Sequence, residues 1–331
     1  MASLKLINNS GQITEKNICF VNAALQLLFS IPEVKSFFSN SGYSKAVNSD
    51  TPVCREVGRI FQTAGHLSSA ASLRILIANI SGNVEMSNGT QQDITEFIRL
   101  LLQQFEIELS QLSGAASIFT NKFWGKESTI KKFVNQNSGR CRKCDKLPRE
   151  EEENFNILKL QVLQSSKELS LSSLIENSFS EGSDILRMKC SDCCPHSTNC
   201  PQSGGCKLKN AVNQRILLDT PDLLLIQLLR FENFTNIKTD TIVIPEETLR
   251  LPSGDRYTLV SIGDHNGPVI ANGHYTASIK IGFNWTMCDD AETIPINESK
   301  VISSNNYIYV YSKLPEDRKF VSTLDWQEFF E

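Results

Sequence analysis

The sequence predicts an α+β fold, with helices first and strands after, on three observations. The stretch "TEKNICFVNAALQLLFSIP", Thr14 to Pro32, repeats apolar residues at helical spacing. "QQDITEFIRLLLQQFEIEL" does so again over residues 91–109. Beyond about residue 119 the pattern turns to short runs rich in β-formers, of which "LLLIQLLRF", Leu223 to Phe231, is wholly apolar but for two residues. Helices and strands kept in separate parts of a chain belong to the α+β class.

In the first helix Phe20, Ala24, Leu27, Leu28 and Ile31 share one face, and Pro32 marks its end. Cys19 stands at its head and has two readings. It is a small buried residue opening a core helix, or a nucleophile placed where helix N–H groups and the dipole favour a thiolate. In the second helix Ile94, Phe97, Ile98, Leu101, Phe105 and Leu109 line one face, and Asp93 with Glu96 makes a capping-box-like start. The serine-rich piece Ser165 to Ser183 carries Leu169, Leu171, Leu174, Ile175 and Phe179, so it reads as ordered. "YTASIKI" alternates Tyr275, Ala277, Ile279 and Ile281, and "YIYVYS" at 307–312 is a further strand. "PREEEENF" reads as a solvated acidic face, and the aromatic tail "DWQEFFE" as a segment able to dock.

A chain of 331 residues suits one large domain with a sizeable core. Its net charge of −4 gives no basic footprint, which argues against a nucleic-acid binder. The opening "MASLKLINNSGQ" has no apolar core of signal-peptide length and no segment approaches a membrane span, so a cytoplasmic or nuclear protein is the expectation.

Among the ten cysteines, Cys141 and Cys144 form one C-x-x-C pair, and Cys190 and Cys193 form another. In a reducing compartment such clusters read as metal ligands before disulfides, and four thiolates complete a closed tetrahedral zinc site. Unmetallated thiols are the plain alternative; a redox pair is disfavoured because no βαβ pattern surrounds either motif. "CCPHSTNCPQSGGC" offers Cys194, His196, Cys200 and Cys206 as substitute ligands or reads as a surface loop.

A cysteine nucleophile needs an imidazole and a group to orient it. Of the four histidines, His66 has no supporting feature and His196 sits in the cysteine-rich loop, while His265 and His274 flank the glycine-containing loop "NGPVIANG". His274 opens an alternating strand, and fifteen residues on, "WTMCDD" offers Asp289 or Asp290 to its ring.

These blocks together resemble the ubiquitin-specific proteases, papain-like deubiquitinases. "GQITEKNICFVNAALQLLFSIP" resembles that family's cysteine box and "QQDITEFIRLLL" its second box. "CRKC", "FNILKLQV" and "KCSDC" resemble its fingers, and "PDLLLIQLLRF", "YTLVSIGDHNGPVIANGHYTAS", "WTMCDD" and "YIYVYS" its histidine box and closing strands. The resemblance implies one catalytic domain over 1–331: a helical thumb at about 1–118, zinc-bearing fingers with part of the palm at 119–256, a palm at 257–320 and a tail at 321–331. It implies Cys19 as nucleophile, His274 as base and then acid, Asp289 as the orienting member and Asp290 as polar support. It further implies that Gln92, Asp93, Glu96, Gly273 and Tyr275 receive the glycine-ended tail of ubiquitin, of a ubiquitinated protein or of a ubiquitin-like modifier, and that the protein works as a monomer. Three positions depart from the pattern: Thr14 replaces the asparagine that stabilises the oxyanion, Lys16 a glycine, and Ile18 a threonine. Losing an oxyanion donor costs about 10²–10³ in turnover, so a slow enzyme, or a ubiquitin-binding scaffold with little catalysis, is a second expectation.

Overall fold

The structure, a computed structural model, describes residues 3–39, 50–110, 122–134, 149–182, 186–188, 209–231, 237–270 and 272–317. Helices fill the first third: α1 (Cys19–Phe29), α2 (Pro32–Ser39), α3 (Pro52–Gln62), α4 (Ala71–Ser81), the single turn α5 (Val84–Ser87) and α6 (Ile94–Ser110), with α7 (Leu171–Phe179) further on. The expected apolar face of α6 is buried in full. By contrast, α1 is buried on every side, not on one face, because it lies between the other helices and the main sheet. Phe20 of α1 meets Phe97 of α6 edge to face at 5.7 Å. Pro32 does mark the break after α1, as the first residue of α2, where its missing N–H costs nothing.

The helix ends show how the layer is locked. Glu108 of α6, 1 % exposed, accepts from the amides of Val53 at 3.0 Å and Cys54 at 2.8 Å, so a buried carboxylate satisfies the free N–H groups at the start of α3. Helix α4 stops on Gly82, whose φ of 69° is left-handed. At α6 Asp93 accepts from the Thr95 amide at 2.6 Å, but Glu96 does not complete a capping box; its carboxylate turns outward to Arg99 at 2.8 Å.

Strands run in chain order β1 (Lys5–Leu6), β2 (Leu67–Ser68), β3 (Gly125–Phe133), β4 (Arg149–Phe155), β5 (Leu158–Gln161), β6 (Leu169–Ser170), β7 (Leu186–Met188), β8 (Lys209–Asp219), β9 (Leu223–Leu229), β10 (Val243–Ile244), β11 (Thr248–Arg250), β12 (Arg256–Val269), β13 (Asn272–Ile281), β14 (Asn284–Asp289), β15 (Glu292–Ile296) and β16 (Asn306–Lys313). The main sheet has the order β15-β14-β13-β12-β16-β9-β5, with β11 paired to β12, and is antiparallel except at β5–β9. A smaller antiparallel sheet runs β4-β3-β8-β7.

Both faces of the main sheet are covered, which explains why β9 reads as a continuous apolar run. Leu223 and Leu225 face the helical layer together with Ile308 and Val310. Leu224, Ile226, Tyr309 and Tyr311 face a second core that includes Leu171, Leu174 and Ile175 of α7. The segment expected as a loop between His265 and His274 is mostly strand. His265 pairs with Tyr275 and Asn266 with His274, and a bulge between Asn266 and Val269 holds Gly267 and Pro268. The acidic run Glu151–Glu153 is exposed on β4, with Lys126 paired to Glu152 and Lys131 to Glu151, in keeping with a solvated face. The aromatic tail beyond residue 317 lies outside the described residues. Among the described residues no helix is long and apolar enough to cross a membrane.

Replacing Glu108 by alanine removes the carboxylate that accepts from the Val53 and Cys54 amides, and is expected to lower unfolding free energy by about 2 kcal/mol in urea denaturation. Unchanged stability would show that α3 does not depend on this cap.

Candidate active site

Cys19 is the first residue of α1 and 3 % exposed. The chain reaches it through a 3-10 turn, Ile13–Glu15, and a left-handed Asn17 with φ of 52°. Three asparagines build that turn. Asn9 accepts from the Asn17 amide, Asn8 accepts from the Ile18 amide at 3.1 Å, and the Asn17 side chain donates to the Gly89 carbonyl at 2.9 Å. No side chain caps the start of α1; the Val21 and Asn22 amides donate to the Ile18 carbonyl at 2.9 and 3.1 Å, which leaves those of Cys19 and Phe20 for other use among the described residues.

His274 stands near the start of β13, beside α1. The β13–β14 register, with Ala277 opposite Cys288, sets the end of β14 next to it. His274 Nε2 lies 2.6 Å from Asp289 Oδ1 and 3.9 Å from Asp290 Oδ2. With Nε2 engaged, Nδ1 is left for the Cys19 thiol. The hydrogen bond with Cys19 and the carboxylate of Asp289 lift the imidazole to a pKa of about 9, against the opposing pull of burial. Below that pH the arrangement holds an imidazolium beside the Cys19 sulfur, a proton donor at the place where a leaving group would need one.

Asp290 has a different post. It sits at φ of 50°, and its two oxygens accept from Asn22 and Asn8, each at 2.8 Å. Burial raises its pKa while those two amides oppose the shift. Asn22 is one turn after Cys19, so Asp290 ties the nucleophile's helix to the strand that carries Asp289.

The other expected residues are less uniform. Gly273 donates its amide to Gln91 Oε1 at 2.9 Å. A Cβ on Gly273 would sit 2.6 Å from the His265 ring, so only glycine fits there. Tyr275 is 1 % exposed and packs on His265, with ring centroids 4.7 Å apart, so its ring belongs to the core and not to an open wall. Asp93 spends one oxygen on Thr95 and the other on the Tyr307 hydroxyl, at 2.6 Å each, and joins α6 to β16. Gln92 donates to Thr90 at 2.8 Å. Glu96, paired with Arg99, lines an open hollow with Glu127, Glu153 and Arg215. Thr14 is half-buried in the 3-10 turn, and Lys16 is exposed in extended backbone. Cys141, Cys144, Cys190 and Cys193 lie outside the described residues.

Sequence reasoning missed two groups. His265 is fully buried and neutral, pushed down to about 4 by burial and by Lys238. Arg74, also fully buried, sits beneath the turn that leads to Cys19; its signal was a charge on the buried side of "SLRILIA", beside Leu73, Ile77 and Ala78.

A family model described as ubiquitin carboxyl-terminal hydrolase matches residues 10–311. The chain belongs to the ubiquitin carboxyl-terminal hydrolase family. Ubiquitin carboxyl-terminal hydrolase 25 of Arabidopsis thaliana is 25 % identical over 320 residues, covering 90 % of this chain and 46 % of its own length. Ubiquitin carboxyl-terminal hydrolase 21 of Bos taurus is 23 % identical, covering 96 % of this chain and 64 % of its own. The chain therefore spans less than two thirds of either relative. A solved structure of the SAGA module of Ubp8, Sgf11, Sus1 and Sgf73 bound to ubiquitin aldehyde superposes with a TM-score of 0.72 at 20 % identity, over 94 % of this chain and 69 % of that one. This likeness establishes the papain-like fold of ubiquitin carboxyl-terminal hydrolases for the chain.

In this family member, replacing Cys19 by alanine removes the larger support of the His274 imidazolium. NMR titration is expected to place its midpoint near 9 in the intact protein and lower in Cys19→Ala. Equal midpoints would show that thiol and imidazole are not coupled.

Proposed function

We propose that the chain is a thiol-dependent deubiquitinase that hydrolyses the peptide or isopeptide bond after the C-terminal glycine of ubiquitin. The observation that carries this is His274, bonded at 2.6 Å to Asp289 and coupled on its other side to Cys19. The Cys19 thiolate attacks the glycine carbonyl. His274 then protonates the departing lysine or α-amine, leaving a thioester on Cys19. Water, deprotonated by His274, attacks the thioester and releases the ubiquitin carboxylate and the thiolate. The Cys19 and Phe20 amides at the start of α1 are the backbone donors available to the developing oxyanion, and Thr14 offers a shorter donor than asparagine. Gly273, held against His265, suits a passage that admits only glycine beside the scissile bond.

Zinc belongs to the same reading. Strand β3 runs out at Phe133 and β4 enters at Arg149, while β7 runs out at Met188 and β8 enters at Lys209. The registers Lys131–Arg149, Phe133–Ala211 and Met188–Lys209 put these four points at one end of the smaller sheet. In sequence, Cys141 and Cys144 fall between β3 and β4, and Cys190 and Cys193 between β7 and β8; the four make a thiolate set suited to structural zinc. Such thiols and such a nucleophile suit the reducing cytoplasm or nucleus. Metal analysis of the purified protein is expected to find one zinc per chain, lost in Cys190→Ser; a metal-free, folded protein would exclude the site.

The main test is labelling with ubiquitin bearing a C-terminal electrophile. A covalent adduct is expected on Cys19 and none with Cys19→Ala; no adduct, or one that survives the substitution, refutes the proposal. Thr14 and Lys16 favour a second reading, a ubiquitin-binding scaffold with weak turnover. Thr14→Asn is expected to raise turnover of a fluorogenic ubiquitin amide by about 10-fold or more. An unchanged rate would mean that backbone amides already suffice.

A further inference from the structure

Arg74 of α4 is fully buried, yet its guanidinium reaches four backbone carbonyls in three separate segments. It donates to Lys16 at 2.6 Å, to Thr14 at 3.4 Å, to Thr90 at 2.9 Å and to Met86. The first two carbonyls belong to the turn that delivers Cys19; Thr90 precedes the segment that carries Gln91 and Asp93. The guanidinium also lies over the Phe20 ring, 5.4 Å from its centroid. Among the described residues no carboxylate pairs with it, and the ionisable group that favours its charge is Cys19, against the effect of burial.

An arginine at this place is a poor choice for packing alone. Its neighbours on that face, Leu73, Ile77 and Ala78, are apolar, and a buried cation held by carbonyl dipoles and one ring face is costly compared with a leucine of similar reach. What a leucine cannot do is fix the peptide planes at Thr14 and Lys16. Those are the two positions where the sequence departs from the family's asparagine and glycine. Lys16 adopts φ of −75° and ψ of 131°, open to any residue, so the turn's shape is held by bonds to its carbonyls and not by a glycine.

We infer that Arg74 is the positioning residue of the nucleophile: one buried guanidinium that holds Thr14–Ile18 in the conformation presenting Cys19 and the first amides of α1. It touches neither ubiquitin nor the scissile bond. The inference rests on Cys19 as the nucleophile of the deubiquitinase reading.

The test uses the full chain with Arg74→Lys and Arg74→Gln, each with its melting temperature recorded. Arg74→Lys keeps the charge but not the fork, and is expected to lower kcat on a ubiquitin amide about 10-fold with KM within twofold. Arg74→Gln loses the charge as well and is expected to lower kcat about 100-fold at similar KM. Both variants are expected to stay folded, so that the loss is read in kcat and not in KM or in the melting temperature. A folded Arg74→Gln with kcat within twofold of the parent overturns the inference. So does a fall in kcat matched by an equal rise in KM and a lowered melting temperature in both variants, which would mean structural support only.

Should Arg74→Gln fail to fold, the unsubstituted protein still decides. The Arg74 Nε–H resonance is expected to shift when iodoacetamide converts Cys19 to a neutral thioether, and an unshifted resonance overturns the inference. A parent protein that alkylates at Cys19 but ignores ubiquitin electrophiles would fail the deubiquitinase reading and leave the NMR arm to judge Arg74.

Discussion

Asn22, one turn after Cys19 on α1, donates to one oxygen of Asp290, and Asn8, from the segment before the nucleophile, donates to the other, each at 2.8 Å. This shared carboxylate joins the helical layer to the sheet at the one place where their relative position matters chemically. Asp289, its neighbour in sequence, then reaches His274 at 2.6 Å. A register slip of one residue in β14 would send Asp289 to the opposite face and break both arrangements. On β14, Cys288 enters the core under the helices and Trp285 the second core on the other face, which holds the in-and-out pattern of that strand against the slip.

Two imidazoles of the β12–β13 hairpin show how environment sets chemistry. His274 is half-buried and lies between a thiol and a carboxylate, and its pKa rises to about 9. His265, across the hairpin, is fully buried among Phe231, Tyr275 and Tyr307 and falls to about 4. One is a proton carrier; the other is a flat apolar support that forces glycine at 273. The raised value has a consequence for folding. A group whose pKa is higher in the folded protein than its ordinary 6.5 contributes stability below about 6.5, and that contribution is lost as the pH rises through about 9.

The parts legible in the sequence are those with a period or a motif. The face of α6 and the apolar run of β9 follow directly from side-chain burial, whereas the alternation of β13 marks a strand whose two faces are both buried from Tyr275 to Ile279. Cys19, His274 and Asp289 are far apart in sequence, and only a family pattern, not spacing, linked them. The illegible parts depend on tertiary contacts. Nothing in "CFVNAALQLLF" says that the polar face of α1 would be buried, because Asn22 and Gln26 find partners in Asp290 and in Leu4, remote in sequence. The use of Asp93 as a joint to Tyr307 is likewise a contact across 214 residues. Arg74 was visible as a charge on an apolar face, but its four carbonyl partners were not.

The central relation is an imidazolium at His274 serving the sulfur of Cys19. The pH dependence of kcat/KM for a ubiquitin amide tests it most directly, since it reports ionisations of the free enzyme. A descending limb near pH 9 is expected, where His274 loses the proton it must give to the leaving amine. A rate that still climbs through pH 9 to 10 would contradict it, by showing that the thiol must first be deprotonated by solvent.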